Sequence, residues 1–287
     1  MTGTRWLKTG LMIVALAAAL PVSAQIGIKL QLVPEVTAIK PGQAFYVGLL
    51  IQHEPGYHTY WRFPGIVGVP TTVAWQLPPG FQAGTLEYPE PEATKMFQIK
   101  AQGYERDVLL QCRITPPADL KTGQPVKLAG QASWMACARS CHPGTLGLSL
   151  ELPVTEETAY DSRWRPLFEK ERAAYCHPSE AWAASAVENA MTVTVKLKPR
   201  SAHAHAFADQ GTAQKVIFFT EDGWINSDEP QQASLAPDGT LTLVLRRSDV
   251  FLGKAPPTKL HGIVQRPDGW LAGGKLRSMS LSPDLIR

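Results

Sequence analysis

Ile26, Ile28, Leu30 and Leu32 alternate with Gly27, Lys29 and Gln31. This period of two constrains the fold of the 287-residue chain more than any other feature, because a half-buried strand turns every second side chain to the core. The pattern returns in FYVGLLIQH, after a turn at Pro41-Gly42, and in TTVAWQL, VLLQCRI, QPVKLAGQASW and TLGLSLELPV. Pro78-Pro79-Gly80 and Pro116-Pro117 separate these runs, since proline removes a ladder donor and glycine admits tight-turn backbone angles. Short strands with turn signals between them predict a mainly β protein whose residues 25–154 form an immunoglobulin-like β-sandwich.

Across residues 155–190 the composition shifts to Ala, Glu and Arg. Trp164, Leu167, Phe168 and Tyr175 fall on one face at helical spacing, and Pro178 interrupts the run, which predicts a linker of two short helices with an aromatic packing stripe. From Met191 the alternation resumes with Val193, Val195 and Leu197, followed by KVIFFTEDGWI, TLTLVLRR and KLHGIVQRPDGWL. Turns are expected at Asp222-Gly223, Asp238-Gly239 and Asp268-Gly269, so residues 191–287 read as a second, smaller β domain. His203 and His205 lie two apart there, but the sequence supplies no further ligands for a metal,.

Residues 1–24 read as a secretory signal peptide. Arg5 and Lys8 precede the apolar run LMIVALAAALPV, and Val22-Ser23-Ala24 forms a small-residue cleavage pattern before Gln25,. The run falls short of the roughly 20 residues a membrane-spanning helix needs. Cleavage after Ala24 leaves 263 of the 287 residues and, without Arg5 and Lys8, lowers the formal charge from +3 to +1. Such a charge offers no basic field for nucleic acid or an anionic membrane surface. No later segment is apolar enough to span a bilayer, so the expectation is export to an oxidising compartment where disulfides persist.

A chain of this length buries a core without covalent staples, so its four cysteines invite a functional reading. Two stand close together in WMACARSCHPG, as Cys137 and Cys141. Haem attachment wants Cys-x-x-Cys-His, and here one extra residue separates the sulfurs. Structural zinc would need a second Cys/His cluster that is not present in the sequence. Cu(I) suits soft donors, and Cys137, Cys141, Met135 and His142 could supply them. A permanent bridge would close a very short loop, where stabilisation is least. A reactive dithiol needs sulfurs able to pair, nearby positive charge and exposure. Arg139 and His142 provide the charge, Trp134 flanks the pair, and a loop held by Pro143-Gly144 between two strands would provide the exposure. Cys112 shares the inward register of Val108, Leu110 and Ile114, and Cys176 lies beside His177. A Cys112–Cys176 bridge between linker and sandwich is one of the connectivities four cysteines allow.

The stretch GYHTYWRFPGIVGVPTTVAWQLPPGF, Tyr-Pro-Glu-Pro at 88–91, Gly-Tyr-Glu at 103–105 and WMACARSCHPG together resemble the periplasmic N-terminal domain of the DsbD-type thiol:disulfide interchange reductases, in the flavour of the copper-tolerance branch. The resemblance extends over most of residues 26–285. It implies a periplasmic immunoglobulin-like domain that takes electrons from a membrane-embedded thiol reductase and passes them to thioredoxin-fold partners, with no cofactor. By position it makes Cys141 the nucleophile that bonds the partner and Cys137 the resolving thiol. It also makes the region of His58, Tyr60, Trp61, Pro64 and Gly65 a cap or docking segment beside the cysteines. A chain ending at Arg287 lacks the membrane region and thioredoxin-like part of the whole reductase, so the expected donor is a separate protein.

Overall fold

The computed structural model describes residues 23–249, 251, 253 and 255–287; the expected signal segment up to Val22 lies outside them. The first half of the chain forms β1 (Ser23–Gln25), β2 (Ile28–Pro34), β3 (Val36–Ala38), β4 (Phe45–His53), β5 (Thr59–Tyr60) and β6 (Thr72–Gln76). It continues with β7 (Gln82–Glu87), β8 (Glu92–Met96), β9 (Ile99–Tyr104), β10 (Val108–Thr115), β11 (Val126–Cys137) and β12 (Cys141–Leu152). One sheet has the order β1-β2-β4-β10-β7 and faces another ordered β12-β11-β6. Leu30, Leu32, Val47, Leu49, Leu110 and Cys112 from the first sheet meet Leu128, Ala132, Trp134, Leu148 and Leu150 from the second in one buried cluster. The fold is the expected mainly β, immunoglobulin-like sandwich.

β4 and β10 are buried on both faces over most of their length, unlike ordinary half-exposed strands. The reason is α1 (Arg165–Ala173), which follows the sandwich and the short β13 (Ala159–Tyr160). Phe168 of α1, fully buried, packs with Val33, Leu50 and Leu109 on the outer face of the first sheet, joined by Trp164 and Leu167. A strand covered on both sides loses its alternation. Pro166 sits in the first turn of α1, where a missing N–H costs nothing,. The Arg106 guanidinium bonds both carboxylate oxygens of the buried Glu171 at 3.1 Å and ties the helix to the sandwich.

The second half forms β14 (Trp182–Glu188), β15 (Thr192–Pro199), the short α2 (Gln210–Ala213), β16 (Ile217–Thr220) and β17 (Gln232–Leu235). β18 (Leu241–Arg246), β19 (Gly262–Gln265), β20 (Ser278–Leu281) and β21 (Leu285–Ile286) complete it. Sheets β17-β18-β15-β14-β21 and β16-β19-β20 enclose a second core built on Val193, Val195, Leu241, Leu243, Phe218 and Trp270. Gly223, Gly239 and Gly269 have φ near +80°, so the three Asp-Gly turns use glycine for its left-handed backbone.

Three expectations are corrected. The second linker helix does not form: WAASAVE is strand β14, seven residues paired with β15. Its Ala-rich composition favours a helix, but burial of Trp182, Ala186 and Glu188 in the second domain overrides propensity,. Cys112 and Cys176 are both free thiols. Cys112 faces the sandwich interior and donates to the Gly84 carbonyl, whereas burial beside Glu90, Arg62 and Ser278 surrounds Cys176. Pro143 and Gly144 do not hold a loop, because both lie inside β12, opposite Met135 and Trp134.

Candidate functional site

β11 and β12 are twelve residues each and pair along their whole length, from Val126 opposite Leu152 to Cys137 opposite Cys141. Only Ala138, Arg139 and Ser140 turn the chain, with the Ala138 N–H donating to the Ser140 carbonyl at 3.0 Å. The two cysteines are therefore a cross-strand pair at the tip of a long hairpin, with Cα atoms 4.1 Å apart and joined as a disulfide. Strand alternation sorts their neighbours. Ala132, Trp134 and Ala136 point into the sandwich core, and Met135 and Cys137 point to the opposite face. There Tyr60, Ala101 and Cys137 form a small buried cluster with Met135, Val67 and Cys141 packed against it.

The two sulfurs are not equivalent. Cys137 is 1% exposed, and Cys141 is partly open to solvent. The Tyr60 hydroxyl donates to Cys137 Sγ at 3.1 Å and is itself 3.3 Å from His58 Nε2, with the two rings edge to face at 5.2 Å. Main-chain hydrogen bonds of 3.0 Å run both ways between His58 and Cys137. Burial pushes the Tyr60 phenol up to about 12, so it stays a donor at every physiological pH. Burial likewise pulls His58 below the usual imidazole value, which keeps it neutral.

The remaining expected residues lie in distinct places. Trp61 is fully buried and belongs to the sandwich core, one residue out of phase with Tyr60. Trp134 is also in that core, with its ring lying across Gly144. Arg139 is exposed at the turn. His142 falls on the face away from Cys141, with Nε2 2.8 Å from Ser140 Oγ and its ring 6.3 Å from Tyr57. Of the four donors considered for Cu(I), Met135 and the two sulfurs share the cluster while His142 does not. No group of three or more His, Cys, Asp or Glu side chains placed to hold a metal occurs among the described residues. Pro64 and Gly65 belong to the segment Phe63–Val69, which passes over Tyr60: Val67 packs in the disulfide cluster, and Gly68, at φ +94°, lies against the Tyr60 ring.

Sequence reasoning missed Gln102, Ala101 and Ser227. Ala101 packs in the disulfide cluster, Gln102 donates to the Phe63 carbonyl at 2.6 Å, and the Ile66 N–H donates to Ser227 Oγ at 3.2 Å. None carries a motif. The one local signal is Gly103, where a Cβ would stand 2.1 Å from the Thr59 carbonyl, so the Tyr60 strand can approach only glycine.

Residues 29–152 match the family model described as thiol:disulfide interchange protein DsbD, N-terminal. Among solved structures, the N-terminal periplasmic domain of ScsB from Proteus mirabilis is similar at TM-score 0.66 and 16% identity, over 92% of this chain and 95% of that one; at such identity the likeness is one of fold. The I-band fragment I67-I69 from titin, with 10% identity over 92% of this chain and 66% of that one, reaches a TM-score of only 0.21. No curated protein matches the chain. No helix among the described residues is long and apolar enough to cross a membrane. The sandwich that carries the Cys137–Cys141 disulfide is an N-terminal domain of the DsbD thiol:disulfide interchange family.

Proposed function

We propose that this protein is a periplasmic electron relay in which Cys137 and Cys141 pass between disulfide and dithiol, reduced by a membrane-embedded thiol reductase and oxidised by a thioredoxin-fold partner. The single observation that carries the reading is the asymmetry of the two sulfurs: one open to a partner, the other buried against a hydroxyl donor.

The steps follow from that asymmetry. A donor thiolate reaches Cys141 Sγ, the intramolecular bond breaks, and an intermolecular disulfide forms. The electron pair leaves on Cys137 Sγ, where the Tyr60 hydroxyl already points and stabilises the thiolate,. The donor's second thiolate then attacks its own sulfur in the mixed disulfide and releases Cys141, leaving the dithiol. Towards the acceptor the sequence runs in reverse: the Cys141 thiolate attacks the acceptor disulfide, and Cys137 then attacks Cys141 Sγ, which frees the reduced acceptor and restores the bond. Cys141 is thus the nucleophile and Cys137 the resolving thiol.

Replacing the resolving thiol tests this directly. The Cys137→Ser variant, incubated with an oxidised periplasmic extract, should accumulate a mixed disulfide through Cys141 to a thioredoxin-fold protein, identified by non-reducing electrophoresis and mass mapping. A bridge with only a structural role would give no adduct and, in the unaltered protein, would resist reduction below about −300 mV. A carrier should titrate at roughly −180 to −270 mV.

A further inference from the structure

Gln102 joins the two domains at the point where one of them reaches the disulfide. It is 3% exposed and lies on β9 between Ala101, which packs against Tyr60 and Cys137, and Gly103, which pairs with Tyr60. Its side-chain Nε2 donates to the carbonyls of Phe63 at 2.6 Å and of Thr220 at 2.9 Å. Its Oε1 accepts from the Thr220 N–H at 2.8 Å. Its main-chain N–H donates to the Pro64 carbonyl at 2.7 Å. One residue of the sandwich therefore holds the segment over Tyr60 and, with the same amide group, imitates a neighbouring strand along the edge of β16 in the second domain.

That edge is finished by a second glutamine. Gln231 Oε1 accepts from the Phe218 N–H and its Nε2 donates to the Phe218 carbonyl, both at 2.8 Å. Strand edges need such partners, since unpaired main-chain groups are costly when buried. Gln231 comes from the second domain itself, whereas Gln102 comes from the strand beside the disulfide. Around Gln102 the same two bodies meet repeatedly. Arg62 pairs with Glu221, the Phe63 ring lies on Gly223, and Ser227 Oγ accepts from the Ile66 N–H while donating to the Lys100 carbonyl at 3.3 Å. A cleft of about 360 Å³ lined by Phe63, Gly65 and Ile66 of the segment and by Asp222 and Asn226 of the second domain lies between the two, so the segment is not packed solidly there.

We propose that the second β domain is the anchor of the Phe63–Val69 segment over the Cys137–Cys141 disulfide, with Gln102 as the positioning residue that couples them. The inference deepens the exchange reading above and gives the second domain a role in it: the second domain sets how often the sulfurs are uncovered.

Small-thiol kinetics test it without any protein partner. In Gln102→Glu the side chain keeps its shape but has no donor for the Phe63 and Thr220 carbonyls, and Ser227→Ala removes the acceptor for Ile66. Ser227→Ala should raise the second-order rate at which dithiothreitol reduces Cys137–Cys141 by about fivefold, the change expected when a local opening loses one ordinary hydrogen bond, and Gln102→Glu, which loses two, by at least as much. Gln231→Ala loosens the same β16 edge without touching the segment and should leave the rate at the wild-type value. Wild-type rates in both test variants, or an equal rise in Gln231→Ala, would overturn the proposal. Should Gln102→Glu not fold, Ser227→Ala, at a partly exposed site, decides alone. If the Cys137→Ser variant forms no adduct with thioredoxin-fold proteins while the test variants still react faster with dithiothreitol, the relay reading fails and the anchor stands.

Discussion

At the scale of single residues, the chemistry turns on one hydroxyl. Tyr60 is fully buried and its only heavy polar atom lies between His58 Nε2 and Cys137 Sγ. A better-stabilised leaving thiolate departs faster, so Tyr60→Phe, which keeps the ring and removes the donor, should slow reduction of the disulfide by about tenfold, the worth of one hydrogen bond to a developing charge. Stopped-flow reduction followed against pH would check this, and an unchanged rate would take Tyr60 out of the mechanism. His53 sits nearby at the end of β4, 2.9 Å from Thr59 Oγ1. Burial pushes it down to about 4, outweighing the backbone bond and Asp107, which act the other way. As pH falls from about 6.5 the unfolded chain takes up a proton that the folded His53 refuses until about pH 4,. The His53 contribution to stability should therefore decline through that window, by at most about 3 kcal/mol. Urea titrations at several pH values should show the decline, and His53→Gln should flatten it.

At the scale of elements, the site is a junction of two hairpins. The β11–β12 hairpin ends on the disulfide, and the β8–β9 hairpin carries Ala101, Gln102 and Gly103 to it. Between them runs β5, two residues long, paired to β9 through Tyr60 and Gly103 and to Cys137 through the His58 bridge. So short a strand has no stability of its own. Its position depends on the close approach of Thr59 to Gly103, and Gly103→Ala would force the two strands apart because the obstructing atom is a backbone carbonyl. The expected cost is about 1–3 kcal/mol of overpacking, and the Tyr60–Cys137 contact should be lost with it. A thermal melt combined with the dithiothreitol rate measures both, and a variant with the stability and the reaction rate of the parent would contradict this account of β5.

For the whole molecule, the two cores touch. Phe219 and Ile263 belong to the second half of the chain, yet both are buried in the cluster that fills the first sandwich, where Ile217 also packs. Truncating a buried phenylalanine costs about 3–5 kcal/mol, and Phe219→Ala should destabilise both halves together. Calorimetry of the unaltered protein should accordingly give one transition with equal calorimetric and van't Hoff enthalpies. Two separable transitions, with only the upper or lower one moved by Phe219→Ala, would show that the contact does not couple the cores.

The sequence by itself determined the longer alternating strands and their turns, but not β5, β7, β8 or β9, whose residues carry no clear alternation. FYVGLLIQH is β4 residue for residue, and the Asp-Gly pairs form the turns their glycines predict, because alternation and positive φ are local properties. It also determined that Cys137 and Cys141 could meet, since only three residues separate them, but it placed them in a loop and not across the end of a hairpin. It misjudged Trp182–Glu188, where local propensity opposes burial, and it left the Cys112–Cys176 bridge open until packing set the two thiols apart. What only the tertiary structure decided is which sulfur is buried and what covers it. Tyr60 reaches Cys137 across 77 residues of chain, and Gln102 reaches Thr220 across 118. Such bonds are set by how the sheets pack and not by spacing, so no motif announces them.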